Sequence, residues 1–197
     1  MLKEKTMKKL FVMVLVLILL VAMIVQVGLA SAAPPPLHNH RPTQVNGTLE
    51  IVSWPIEDAI IVPGPNPGDL ISSNNVLTCQ MHGDLEGTYT MTLTYRYNLF
   101  ATPYTMSGTE TFVGTLMGFP VSYTSEQSGS GEFAAPLAAG VFAGTESWVS
   151  TIVSAETPLS HLRGQINVNG VYDLTVIPEV QEYTYNGELV WQPGNKN

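Results

Sequence analysis

From residue 88 the chain alternates. Thr88, Thr90, Thr92 and Thr94 take the even positions, while Tyr89, Met91, Leu93, Tyr95 and Tyr97 take the odd ones. A period of two over a dozen or so residues predicts a long strand with one face in a core and one in water. The same alternation, rich in Val, Thr, Tyr and Phe, predicts strands at 48–54, 76–82, 107–117, 119–127 and 141–154. Ser128-Gly129-Ser130-Gly131 reads as a turn, 132–140 as a loop and 156–164 as an irregular turn. Asn169-Gly170 suits a tight hairpin joining 165–168 to 171–177, and Asn186-Gly187 suits an edge hairpin within 181–191. Residues 55–75 carry Pro63, Gly64, Pro65, Pro67 and Gly68 and are long for a connection, as lids and binding loops are. Within them, Ala59-Ile60-Ile61-Val62 is apolar enough to fold back as a strand or flap. No window sustains a helical period, so the chain is all-β: an antiparallel barrel or sandwich of about eight strands.

Ahead of this body, Lys3, Lys5, Lys8 and Lys9 precede an apolar run at 10–29, and Ala30-Ser31-Ala32 supplies a small-x-small cleavage signal. Residues 1–32 are expected to be a signal peptide, or an uncleaved anchor, since a run of that length reaches across a bilayer. Either outcome exports the rest. Residues 33–45 read as a proline-rich tether and 46–192 as a single barrel domain. Beyond the leader, four Lys and Arg face fifteen Asp and Glu, a net charge of −11. Such a surface disfavours nucleic acid and anionic lipid, so a membrane partner is expected only if the leader is retained.

Few residues offer cofactor or metal chemistry. His38 and His40 lie two apart in the tether with no third ligand nearby, and no cofactor or metal is expected. Cys79, the only cysteine, shares its face with Leu77 and Met81 and is expected to be buried and inert. Gly129-Ser130-Gly131 lacks the third glycine and the helix of a dinucleotide site. His161 sits in a Leu-Ser-His-Leu turn without a visible partner.

Three blocks carry a resemblance: Gly83-Asp84-Leu85-Glu86-Gly87-Thr88, then Glu110-Thr111-Phe112-Val113-Gly114-Thr115-Leu116, then Leu159-Ser160-His161-Leu162-Arg163-Gly164-Gln165. Residues 76–177 resemble a family of uncharacterised bacterial and archaeal domains placed with the allene oxide cyclase-like barrels. The wider group includes plant allene oxide cyclases and dirigent proteins. The resemblance implies an antiparallel eight-stranded β-barrel, closed or nearly so. It also implies an apolar bore that holds a small ligand, in some relatives steering a cyclisation by shape. No catalytic residue transfers, because no cyclase motif aligns. The leader, residues 55–75 and the tail beyond 178 depart from the pattern, and oligomeric state is not readable from it.

The informative residues are polar ones on apolar faces. Glu110 shares parity with Phe112 and Leu116, and Glu146 shares parity with Phe142, Trp148 and Ile152, whereas Glu86 and Glu126 fall among Thr and Ser. Inside a barrel Glu110 and Glu146 would be desolvated, with raised pKa values; at strand starts after Gly-Thr, both would lie at a wet rim. Tyr89, Tyr95, Tyr97 and Trp148 are the candidate walls for a small apolar molecule. The alternatives are a non-catalytic extracellular module whose aromatics fill the core, or a cyclase-like isomerase. The export reading has a direct check: intact-mass measurement of the secreted protein should show a chain starting at Ala33. Recovery only from membranes with residues 10–29 attached would establish the anchor instead.

Overall fold

The computed structural model describes residues 42–156, 159, 161–176 and 179–191. The leader, the tether up to 41 with His38 and His40, and the tail from 192 lie outside them. Nine strands follow in order: β1 (Thr43–Ser53), β2 (Ile60–Pro63), β3 (Asp69–Gly83), β4 (Leu85–Asn98), β5 (Pro103–Leu116), β6 (Phe119–Phe133), β7 (Ala143–Ala155), β8 (Arg163–Asp173) and β9 (Val180–Val190). Each of β3 to β8 pairs antiparallel with the next, and β1 pairs with both β9 and β3. That double pairing closes an eight-stranded antiparallel β-barrel, with β2 outside it on the edge of β3. β1 starts at Thr43, so the last three residues assigned to the tether belong to the barrel.

The alternation at 88–97 is obeyed: Tyr89, Met91 and Leu93 are buried, Thr88 and Thr92 exposed. Around the barrel most inward positions are apolar and the outer wall is largely Thr, Ser, Asn and Glu. This inverts the pattern of a membrane-spanning barrel, whose outer face is apolar. One end is plugged by Leu85, Leu116, Leu162 and Leu189. The other end, where β4 meets β5 and β8 meets β9, is the mouth.

Four sequence expectations are corrected. Ser128–Gly131 is not a turn but the middle of β6, paired with β5 and β7 throughout. Asn169-Gly170 lies within β8 and Asn186-Gly187 within β9, each a single unbroken strand rather than a hairpin. The cause at Gly170 is space, not a turn. Its cross-strand partner is Tyr183, whose ring folds over it; a Cβ there would sit 2.0 Å from a ring atom. Gly131 stands in the same relation to Tyr104, at 2.2 Å. The fourth correction is at β3, which begins at Asp69 rather than 76, running through a bulge between Ser72 and Asn75 with Asn74 at φ 59°. Asn and Gly tolerate such backbone where most residues do not.

The bulge shapes the mouth. β1 covers the edge of β3 only as far as Thr78, and past the bulge β2 takes its place, pairing with Leu70–Ser73. The apolar piece at 59–62 thus does fold back, as a strand that flanks the open end. A substitution pair tests the single-core reading of β4. Leu93→Ala should destabilise by about 2–5 kcal/mol through lost burial and a cavity. Thr92→Ser, on the exposed face, should stay within about 0.5 kcal/mol in denaturant titration. Equal costs would contradict the assigned faces.

Candidate functional site

The mouth holds a cavity of about 180 Å³. Eight of its lining residues are aromatic. Five of these rings form a closed circuit: Trp54 to Tyr95 at 6.2 Å between centroids, Tyr95 to Tyr104 at 6.1 Å, Tyr104 to Phe133 at 4.6 Å, Phe133 to Phe142 at 6.1 Å, and Phe142 back to Trp54 at 6.1 Å. Tyr172 joins through Phe142 at 6.0 Å and Tyr97 through Phe133 at 6.3 Å. Such spacings are those of favourable tilted and offset ring pairs. Ile51, Ile56, Ala59 and Ile61 bring the flap side into the lining.

One carboxylate enters this aromatic wall. Tyr104 Oη donates to Glu146 Oε2 and Tyr183 Oη donates to Oε1, each at 2.8 Å. Burial pushes the Glu146 carboxyl above the usual glutamate range, and the two phenol hydrogen bonds oppose that only in part. The same burial, reinforced by the negative Glu146, holds the Tyr104, Tyr183 and Tyr95 phenols protonated. Tyr172 is pushed up to about 12. Among the described residues no Lys, Arg or His lines the cavity. Two further lining residues carry buried polar atoms without a protein partner, Trp54 Nε1 and Gln181 Oε1.

Glu110 lies elsewhere. It is only 1% exposed, deep among the core residues, and does not line the cavity. Tyr89 and Ser125 donate to its Oε2, the latter at 2.7 Å, and the Ser150 hydroxyl lies 2.9 Å from the Tyr89 oxygen. A phenol has one proton; with Tyr89 donating to Glu110, Ser150 donates to Tyr89. Burial again raises the Glu110 carboxyl, and Tyr89, Ser125 and Ser150 pull it back in part. Trp148 packs on Tyr183 at 5.8 Å and is likewise outside the cavity lining.

The six sequence candidates therefore separate. Glu146, Tyr95 and Tyr97 line the cavity; Glu110, Tyr89 and Trp148 form the interior beneath it. The rim alternative fails for Glu110, which is fully enclosed. Trp54, Tyr104, Phe133, Phe142, Tyr172 and Tyr183 were not singled out, although Tyr104 and Phe133 continue the alternation of β5 and β6 past the ends drawn for them. Cys79 is 0% exposed, and burial lifts its thiol to about 12. A shallow hollow also crosses the outer wall past Thr105, Ser130 and Ser147, but these are exposed hydroxyls facing solvent.

No family model matches the chain, and no curated protein matches it. The fold is similar to that of a protein of unknown function from the DUF3224 family of Shewanella oneidensis MR-1, with a TM-score of 0.52 and 15% identity. The match covers 78% of this chain and 100% of that one. At that identity the likeness concerns the barrel itself.

The buried Glu110 makes a signed prediction. Its folded-state pKa is raised, so the fold retains a proton that the unfolded chain releases above about pH 4.3. Stability should fall as pH rises through that interval and level off beyond the folded value. Glu110→Gln should remove its share of the decline, so that the variant gains on wild type as pH rises. A constant difference between the two proteins in urea titrations from pH 4 upward would show that Glu110 titrates alike in the folded and unfolded chain, contradicting the raised value.

Proposed function

We propose that this protein is an exported small-molecule-binding barrel whose ligand occupies the mouth cavity. The carrying observation is an aromatic-walled cavity with a single carboxylate fixed by two phenols. Binding sites combine mostly apolar walls with few convergent polar groups in this way. The resemblance to the allene oxide cyclase-like barrels, whose bores hold small ligands, supports the same reading, as does the leader at 1–32 for export. At about 180 Å³, the cavity takes roughly six waters' worth of volume, at ~30 Å³ each. The ligand is therefore small.

That modest size favours a second reading, a non-catalytic extracellular module with an incompletely filled core, since sites for drug-sized ligands run to about 300 Å³ and more. A cyclase-like reaction has less behind it. The phenols around Glu146 are held protonated, and neither His82 nor His161 lines the cavity.

Trp54 is the one tryptophan in the cavity lining and reports occupancy. Titration with phenol, cyclohexanol and other molecules of five to eight heavy atoms should give saturable fluorescence changes that Ala59→Phe, which fills the cavity, abolishes. If none saturates and Ala59→Phe is more stable than wild type, the filled-module reading stands.

A further inference from the structure

We propose that the mouth cavity is a site for a methylated organic ammonium ion, of the choline type, with Glu146 as its counter-charge and the circuit of aromatic rings as its cage. The inference rests on the cavity being a binding site and names the class of ligand it takes.

Charge comes first. An aromatic ring presents a negative face, so a wall of rings repels anions and attracts cations. Glu146 adds negative charge in the same space when ionised, and among the described residues no basic side chain lines the cavity. A regular five-membered circuit with the observed spacings would place its centre about 5 Å from each ring, inside the ~6 Å reach of a cation–π contact. Carboxylate and phenolate ligands are disfavoured by both features. The acidic chain, with a formal net charge of −8, draws cations toward it.

Hydrogen-bonding capacity then selects among cations. Both oxygens of Glu146 already accept a phenol proton, and the rings offer no further acceptor of comparable strength. A primary ammonium would bring three N–H donors that the spare lone pairs of Glu146 and Gln181 Oε1 would have to satisfy, whereas a trimethylammonium brings none. A hydrated metal ion is worse served still, because it demands several oxygen ligands. Among the described residues no cluster of acidic, His or Cys side chains could hold one. The two orphaned polar atoms supply the independent sign of a ligand with a polar tail. Trp54 Nε1 is a donor and Gln181 Oε1 an acceptor, and a hydroxyl can pair with either kind of atom. Size agrees: choline has seven heavy atoms, and the cavity is about 180 Å³.

Binding should also respond to pH with a fixed sign. The titratable groups facing Glu146 are Tyr104 on β5, Tyr183 on β9, Tyr95 on β4, Tyr172 on β8 and the Cys79 thiol on β3, all held neutral. Glu146 is the one carboxyl among them, and burial raises its pKa. A cation needs it ionised, so affinity should fall as pH drops and binding should release a proton.

The test uses choline and tetramethylammonium against 3,3-dimethyl-1-butanol, in which carbon replaces the charged nitrogen. Affinities of the mature protein are measured by calorimetry and Trp54 fluorescence. The expected result is choline binding at least about tenfold tighter than its neutral isostere, the scale of a cation–π and charge contribution. Glu146→Gln should bring the two within about threefold of each other and remove the pH dependence. Its fold is checked by near-ultraviolet circular dichroism, with Tyr95→Leu as a second variant that should weaken choline more than the isostere. Equal or tighter binding of the neutral isostere by wild type would overturn the cation assignment while leaving the cavity a binding site. Binding of none of the three, nor of phenol or cyclohexanol, would overturn both.

Discussion

β1 pairs with β9 from Thr43 to Leu49 and with β3 from Gly47 to Ser53, and this double pairing leaves the eight barrel strands without a free edge. Closure gives the inside of the protein a fixed circumference. Each inward side chain then competes for space with those across the bore, which is why large rings and bare glycines alternate between strands. Tyr104 lies over Gly131 and Tyr183 over Gly170. Those two tyrosines are also the pair that holds Glu146. The geometry of the site therefore follows from the closure of the sheet, and a methyl group at Gly170 would displace Tyr183 from its hydrogen bond.

The interior departs from a purely apolar filling in two layers. Glu110, Ser125, Ser150 and Tyr89 form a connected chain, with Gln127 nearby finding no protein partner for either amide atom. An unsatisfied buried polar atom costs about 1–3 kcal/mol, so an evolved fold keeps such groups where they serve a structural or chemical purpose. Glu146 differs from Glu110 in its access. Glu110 is sealed among Met91, Phe112 and Tyr123, while Glu146 opens onto a cavity. The two carboxylates look equivalent by parity along their strands. Depth along the barrel axis separates them.

Strand class and the inward faces were legible from alternation alone, and the three-block resemblance anticipated the closed barrel. What escaped was the mouth. The expected strands stopped short at the same end of the barrel: 76 for Asp69 on β3, 107 for Pro103 on β5, and 127 for Phe133 on β6. At that end the sequence carries Pro103, Asn74, Gly129 and Gly131, residues that elsewhere break strands. Here they mark a strand's first residue, a bulge, a close approach to the Ser147–Trp148 backbone at Gly129, and a position beneath the Tyr104 ring at Gly131. Tyr104 and Phe133, and with them the best part of the cavity wall, were lost with those strand ends. Tyr183 was missed for a related reason, since Asn186-Gly187 implied a reversal within β9. Local chemistry alone does not distinguish a glycine that turns the chain from one that yields room to a ring on the next strand.

The bulge at Ser72–Asn75 ties these features together. Asn75 secures it by donating from Nδ2 to the Ser72 and Leu93 carbonyls, at 3.0 and 3.2 Å. The irregularity frees the first part of β3 from β1 and lets β2 pair there instead. Without β2, the Trp54 side of the mouth would lose the cover of Ala59 and Ile61, and the ring circuit would stand in water. Water weakens charge and cation–π interactions severalfold by raising the local dielectric. A segment that adds nothing to barrel closure thus controls the electrostatics of Glu146. β2 itself is held by only four residue pairs along one edge, so the cover it gives the mouth rests on few backbone contacts.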